Sequence, residues 1–198
     1  MAARRRRRLA PIVAVSGPSG AGKTRLLARL VPELAGRGLR VGFLKHTGHR
    51  HALDTPGKDT EVVRRAGAVA AAIEGPEALA YFGPPAGGVR ALARLLPPVD
   101  LVLAEGWKAE PLPRIEVHRR RVDRAFLCAR DRRVFAVVTD EPPPGAVRAL
   151  GPEEVVALAD LLCARLGLSP SRGRRRAASG ARSTAGRRRP RQRPGARS

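Results

Sequence analysis

A chain of 198 residues, 43% of them hydrophobic, is long enough to form one α/β domain with a buried core. Its net charge of +22 does not by itself indicate a nucleic-acid-binding domain, because residues 4–8 and 169–198 hold sixteen arginines and no acid. The remaining body carries about six positive charges, an ordinary value. No apolar run is long enough to cross a membrane. Cys128 and Cys163 are too far apart for a C-x-x-C metal or redox pair, so we expect reduced cysteines of a cytosolic protein.

The first predicted elements are a strand, a glycine-rich turn and a helix. An apolar run at residues 12–16 is followed by G-P-S-G-A-G-K-T at 17–24 and by an amphipathic pattern over 26–34. In this context G-x-x-x-x-G-K-T is a P-loop (Walker A), whose backbone N–H groups and helix N-terminus surround phosphate oxygens. A purely structural glycine-rich turn is the alternative. The phosphate-binding residues predicted here are Gly17, Ser19, Gly20, Ala21, Gly22, Lys23 and Thr24, with Lys23 reaching the β- and γ-phosphates and Thr24 binding Mg²⁺.

Lysine is rare in this chain. Only four of the 39 basic residues are lysines: Lys23, Lys45, Lys58 and Lys108. A compact ammonium and a planar guanidinium are not interchangeable, so positions that keep lysine in an arginine-rich chain indicate a specific need. The three other lysines are therefore candidates for the same site as Lys23.

A second strand is predicted over residues 39–45, and a long polar loop follows it to residue 60. Loops at the carboxyl ends of parallel strands bind ligands in open α/β sheets. We expect Thr60 to cap the next helix, which runs to about residue 66. His46, His49 and His51 cluster in this loop, but their spacing and partners do not clearly provide a zinc site.

An acid ends a strand in the middle of the chain. After predicted strands at 69–74 and 78–82 and a brief helix at 89–96, the apolar run 99–104 leads into Glu105 and Gly106. A buried strand that ends in an acid is typical of Walker B, which would place Glu105 near Thr24 and the metal. The Gly106 N–H could then contact the terminal phosphate. An acid that merely ends a strand is the alternative.

The last predicted elements are strands at 114–118 and 134–139 and an amphipathic helix at 152–166. Asp140 directly follows the second of these strands. From residue 169 onward the chain contains only Arg, Ala, Gly, Ser, Thr, Pro and Gln, a composition that predicts disorder.

Several motifs together resemble one family. Besides the P-loop they are K-H-T at 45–47, D-x-P-G-K-D-T at 54–60, A-G-A at 66–68 and E-G-W-K at 105–108. In this order and approximate spacing they resemble MobB, the GTP-binding accessory proteins of molybdopterin-guanine dinucleotide biosynthesis. The resemblance spans about residues 11–167, and all four lysines lie inside its motifs.

The resemblance implies a P-loop α/β fold, with a mostly parallel sheet flanked by helices. It also implies binding of GTP and Mg²⁺ with weak hydrolysis at most, molybdopterin as a bound ligand, a cytoplasmic homodimer, and association with the MobA-type guanylyltransferase. We expect a basic arm at 1–10, the GTP-binding domain at 11–167 and a disordered tail at 168–198. The roles carried over by position are phosphate binding by Gly20, Gly22, Lys23 and Thr24, metal binding by Glu105 and Asp59, and a phosphate-side pocket of Lys45, His46 and Lys58. We also expect metal binding by Thr24 and catalysis by Lys23 and Glu105. For guanine recognition we expect Asp140, because an acid after a strand can accept from guanine N1–H and N2–H₂.

Some features leave alternatives open. Gly48 and Arg50 differ from the residues that relatives often carry, and no N-K-x-D motif for guanine is present. A small-molecule P-loop kinase is therefore an alternative, although no arginine-rich lid is evident in the folded body. A nucleic-acid-associated protein is the less favoured alternative. Aromatic residues make up only 3% of the chain, so any such binding would be sequence-blind and salt-dependent, through the arginine tails.

Overall fold

The centre of the fold is a parallel six-stranded sheet, seen in a computed structural model that describes residues 8–47 and 54–169. The strands of the described residues are β1 (Ile12–Ser16), β2 (Val41–Lys45), β3 (Ala71–Glu74), β4 (Leu79–Phe82), β5 (Leu101–Glu105), β6 (Arg114–Val117), β7 (Val134–Val138) and β8 (Arg148–Leu150). The order of the strands in the large sheet is β2-β5-β1-β6-β7-β8, and a separate two-stranded sheet pairs β3 with β4. The helices are α1 (Lys23–Gly36), α2 (Asp59–Arg65), α3 (Val89–Ala93) and α4 (Val155–Leu166).

Both faces of the large sheet are covered, which is why its central strands are continuous apolar runs. Val13 and Val15 pack with α1 and α4 on one face. Ile12 and Ala14 point to the opposite face, as alternate residues of a strand do, and pack there with α3. The predicted fold, a mostly parallel sheet flanked by helices, is confirmed.

The structure corrects several predicted elements. The strands predicted at 69–74 and 78–82 form an antiparallel hairpin outside the large sheet. The expectation that Thr60 caps α2 is wrong: the helix begins at Asp59, and the Thr60 hydroxyl donates to Asp54 Oδ1 at 2.9 Å. The helix α3 ends at Ala93, three residues before the predicted end. The three-residue strand β8 and a 3₁₀ turn at Leu127–Ala129 were not predicted, because they are too short to show a period.

Some predictions concern residues that the structure does not describe. They lie in the basic arm (residues 1–7), in the tail (residues 170–198) and in the loop after β2 (Gly48, His49, Arg50 and His51). Of the helices that the structure describes, none is long and apolar enough to cross a membrane.

Candidate functional site

The carboxyl ends of three neighbouring strands meet at one edge of the large sheet. In the strand register, Glu105 at the end of β5 lies beside Val15 of β1 and Lys45 of β2. A cavity of about 510 Å³, here called the phosphate cavity, opens at this edge. The predicted residues that line it are Gly17, Ser19, Lys23, Lys45, His46, Glu105 and Gly106. Residues that are distant in the sequence, from Gly17 to Gly106, therefore come together at this edge of the sheet.

The turn that follows β1 packs tightly against the neighbouring strand. Gly17 has a φ of +145°, and a Cβ added there would lie 2.2 Å from the carbonyl oxygen of Val117. A side chain at this position would therefore displace the turn from β6. The Lys23 ammonium connects the start of α1 to the start of the loop, because it donates hydrogen bonds to the carbonyl oxygens of Gly17 at 3.2 Å and Pro18 at 2.8 Å.

Positive charge accumulates in the phosphate cavity. Burial lowers the pKa of Lys23, Glu105 opposes the shift, and the ammonium groups of Lys108 and Lys45 lower the pKa further. Three of the four lysines line this one cavity, in agreement with the hypothesis drawn from their rarity. An anionic ligand would relieve the repulsion among them.

Glu105 is buried, with 8% of its surface exposed, and its Oε2 has no hydrogen-bond partner among the described residues. A buried carboxylate oxygen without a partner is a position that a cation such as Mg²⁺ would satisfy.

The loops after β2 and β5 are in close contact next to Glu105. His46 N–H donates to the Glu105 carbonyl at 2.9 Å, and the rings of His46 and Trp107 lie 4.8 Å apart. A Cβ on Gly106 (φ +90°) would lie 2.2 Å from the His46 carbonyl oxygen, so only glycine allows this approach.

The remaining glycines of the P-loop face a second, smaller cavity. Gly20, Ala21 and Gly22 line a space of about 140 Å³ together with arginines of α1 and of the segment after β6. No arginine-rich lid was predicted, and in the structure two arginines of the segment 119–124 line this cavity together with the P-loop. The arginines that line this cavity are Arg25, Arg29, Arg119 and Arg121.

Asp140 lies further along the same edge of the sheet. With Arg120, Arg121 and Arg124 it lines an open cavity of about 870 Å³. Its Oδ1 accepts a hydrogen bond from Arg120 N–H at 3.1 Å, and this bond lowers the pKa of the carboxyl group. Because β5 and β7 lie on opposite sides of β1 in the strand order, Asp140 lies on the side of the P-loop away from Glu105.

Three predicted residues line none of the three cavities described above. Thr24 is exposed in the first turn of α1. Lys58 and Asp59 are exposed at the start of α2. Their roles in phosphate and metal binding stay predictions.

Arg114, which lies beside the site, was not predicted as a functional residue. It sits at the start of a predicted strand, where a charged residue usually marks an exposed end. The structure buries it completely between β1 and β7, and no sequence signal predicts this burial.

Comparisons with known proteins agree with the geometry. The family model described as "Molybdopterin guanine dinucleotide synthesis protein B" (MobB) matches residues 12–140. The molybdopterin-guanine dinucleotide biosynthesis adapter protein of Haemophilus influenzae is 37% identical over 136 residues, which cover 67% of this chain and 76% of that protein. The adapter protein of the same name from Escherichia coli is 34% identical over 162 residues, 77% of this chain and 91% of that protein.

Solved structures show the same fold. A crystal structure of molybdopterin-guanine biosynthesis protein B superposes with a TM-score of 0.61 at 29% identity, covering 78% of this chain and 99% of the other. Bacillus subtilis MobB superposes with a TM-score of 0.61 at 25% identity, covering 79% of this chain and 98% of the other.

Proposed function

This chain belongs to the MobB family, and from that premise we propose that it is an adapter protein of molybdopterin-guanine dinucleotide biosynthesis that binds GTP and Mg²⁺. The adapter role follows from the names of its relatives. The observation that supports nucleotide binding is that Lys23, Glu105 and the Gly17 turn line the same cavity, which is rich in ammonium groups.

The residues of the cavity, together with Thr24 next to Lys23 in the first turn of α1, suit a metal-bound triphosphate. Backbone N–H groups of residues 17–24 and the Lys23 ammonium would hold the phosphates, and the Thr24 hydroxyl and Glu105 would hold Mg²⁺. The unpartnered Oε2 of Glu105 supports this assignment. Mg²⁺, when bound, would neutralise charge on the phosphate oxygens. Asp59 and Lys58 remain candidates for the same ligand, because the long loop after β2 connects them to Lys45.

Hydrolysis is at most a weak activity in this proposal. Among the residues described around the phosphate cavity, Glu105 is the only carboxylate. If it holds Mg²⁺, no second carboxylate is placed to orient an attacking water. Binding and delivery therefore fit the site better than rapid turnover.

GTP preference is tested by titrating the protein with GTP and with ATP in a calorimeter, both with Mg²⁺. We expect GTP to bind at least about tenfold more tightly, since a carboxylate such as Asp140 accepts from guanine N1–H and N2–H₂ and has no such donors on adenine. Asp140→Asn should reduce that ratio and leave ATP affinity unchanged. Tighter binding of ATP would contradict the proposal and favour a small-molecule kinase, for which the arginine-rich segment 119–124 is the supporting observation.

We further propose that the protein is a homodimer and that the β3–β4 hairpin forms its interface. Leu79 and Tyr81 on one face of the hairpin are 67% and 58% exposed, and Ile73 on the other face is 58% exposed. A two-stranded sheet is marginal by itself, and exposed apolar side chains on both faces indicate a surface that is covered in an assembly.

The double variant Leu79→Lys/Tyr81→Lys should convert a dimer into a monomer, measured by light scattering after size exclusion. Two ammonium groups buried in an apolar interface would each cost several kcal/mol. Val156→Lys, at an apolar residue of α4 that is 58% exposed, is the matched control and should remain dimeric. A monomeric wild-type protein would refute the proposed interface.

We also propose a cytoplasmic location and a protein partner for this chain. A cytoplasmic location agrees with the two free cysteines, because reducing compartments keep thiols unpaired. The proposed protein partner is the MobA-type guanylyltransferase, with molybdopterin or its guanine dinucleotide as the associated ligand. Any nucleic-acid contact would be non-specific, through the eleven arginines of residues 169–198.

A further inference from the structure

Arg114 is a charged side chain buried inside the sheet beside the phosphate cavity. Only 1% of its surface is exposed, and burial lowers the pKa of its guanidinium. A buried charge is tolerated when an opposite charge and hydrogen bonds compensate it. The Nε of Arg114 makes no hydrogen bond among the described residues and meets Asp131 only as an ion pair. The partners of its guanidinium are Ser16 Oγ at 3.1 Å, the carbonyl oxygens of Trp107 at 3.2 Å, Lys108 at 2.7 Å and Glu110 at 2.5 Å, and the Asp131 carboxylate at 3.0 Å.

Three of these partners belong to the linker between β5 and β6, residues 106–113. The linker contains no helix or strand, so it lacks a regular ladder of backbone hydrogen bonds, and only its last carbonyl, that of Pro113, accepts from the backbone of a strand, through Ala14 N–H of β1, among the described residues. Arg114 donates to the carbonyls of Trp107, Lys108 and Glu110 from one planar group. A lysine could not reproduce this arrangement, since its three donors radiate from a single atom.

The same linker carries groups that face the phosphate cavity. Gly106 and Lys108 both line it, and the charge of Lys108 contributes to the lowered pKa of Lys23. On its other side, Arg114 donates to Ser16, the last residue of β1 before the P-loop. Arg114 therefore joins two walls of the phosphate cavity, the P-loop strand and the linker that follows Glu105.

We propose that Arg114 is a positioning residue that lets the site distinguish a nucleoside triphosphate from a diphosphate. It does so by holding the Lys108 ammonium and the Gly106 N–H at the end of the cavity nearest Glu105. There they would contact a terminal phosphate, which a diphosphate lacks. This inference rests on the proposed nucleotide site. It assigns a role in that site to Arg114, which does not itself line the phosphate cavity.

The test compares Arg114→Lys with the wild type in calorimetric titrations with GDP and with a non-hydrolysable GTP analogue, both with Mg²⁺. We expect affinity for the GTP analogue to fall about tenfold and affinity for GDP to change less than about twofold. The matched control is Arg133→Lys. Arg133 shares the Asp131 partner but is exposed, and it meets the linker only at Glu110 O, at 3.5 Å. It should leave both affinities unchanged.

A second variant keeps the inference testable if Arg114→Lys does not fold. Lys108→Ala should lower the GTP-to-GDP affinity ratio by a similar factor. Adding Arg114→Lys to the Lys108→Ala variant should change that ratio little further, because both substitutions act on the contact between Lys108 and the terminal phosphate. Equal losses for both nucleotides in Arg114→Lys, or an unchanged ratio in Lys108→Ala, would overturn the inference while leaving the nucleotide site intact. A wild-type protein that binds neither nucleotide would overturn the proposed function as well.

Discussion

Lys23→Ala is expected to reduce affinity for GTP by about a hundredfold or more, because each hydrogen bond to a charged group contributes about 1.5–3 kcal/mol. The ammonium is held over the P-loop by the carbonyls of Gly17 and Pro18, so it is already positioned for a phosphate. The measurement is calorimetric titration with Mg²⁺ and GTP. Lys23→Arg should not restore binding, since a planar guanidinium is larger than the ammonium and has a different shape.

The control for this variant is Arg90→Ala, which removes an exposed positive charge from α3. It should bind GTP like the wild type, so a loss confined to Lys23→Ala would exclude a general effect of net charge. Retained tight binding by Lys23→Ala would mean that the phosphates do not lie on the P-loop, and the nucleotide site would have to be abandoned.

Glu105→Gln is expected to remove the dependence of GTP binding on Mg²⁺. The amide keeps the shape of the side chain but loses the negative charge that a divalent cation needs from a buried oxygen. Since Glu105 raises the pKa of Lys23, the variant should also lower that pKa further. Titrations with Mg²⁺ and with EDTA should differ by at least about tenfold in the wild type and by less than about twofold in the variant.

A second buried carboxylate provides the matched control for Glu105. Glu116 on β6 is 2% exposed, and its oxygens accept hydrogen bonds from the N–H groups of Leu127 at 2.7 Å and Cys128 at 2.8 Å. Glu116→Gln should lower the free energy of unfolding by about 1 kcal/mol or more, because the NH₂ that replaces one carboxylate oxygen cannot accept, so one of the two hydrogen bonds is lost. Its Mg²⁺ dependence should match the wild type. If Glu105→Gln kept that dependence too, the metal would be held elsewhere, and Asp59 would be the next candidate.

The P-loop and Glu105 could be predicted because, in each, the residues that bind the ligand also belong to a recognisable local structure. The P-loop is continuous in the chain, so the strand, the glycine turn and the helix that form it could be read from one stretch. Glu105 could be placed because an acid at the end of an apolar run must lie at the strand end, whatever the strand order. Glu105 and part of the P-loop (Gly17, Ser19 and Lys23) line the phosphate cavity.

Other predictions depended on the positions of distant segments. Asp59 and Lys58 share a motif with the site in sequence but are exposed at the start of α2. The arginine-rich segment 119–124 was not associated with the P-loop, because about a hundred residues separate them. The strand order, with β6 directly beside β1, brings them together.

By itself the sequence determined the phosphate-binding turn, the acid at the strand end and the membership of a family, because each depends on residue types at short, fixed spacing. Only the tertiary structure decided that Arg114 is buried, that β3 and β4 leave the main sheet, and that three lysines share one cavity. The physical reason is that burial and strand pairing depend on which distant segments cover a residue. Local hydrophobic pattern does not contain that information.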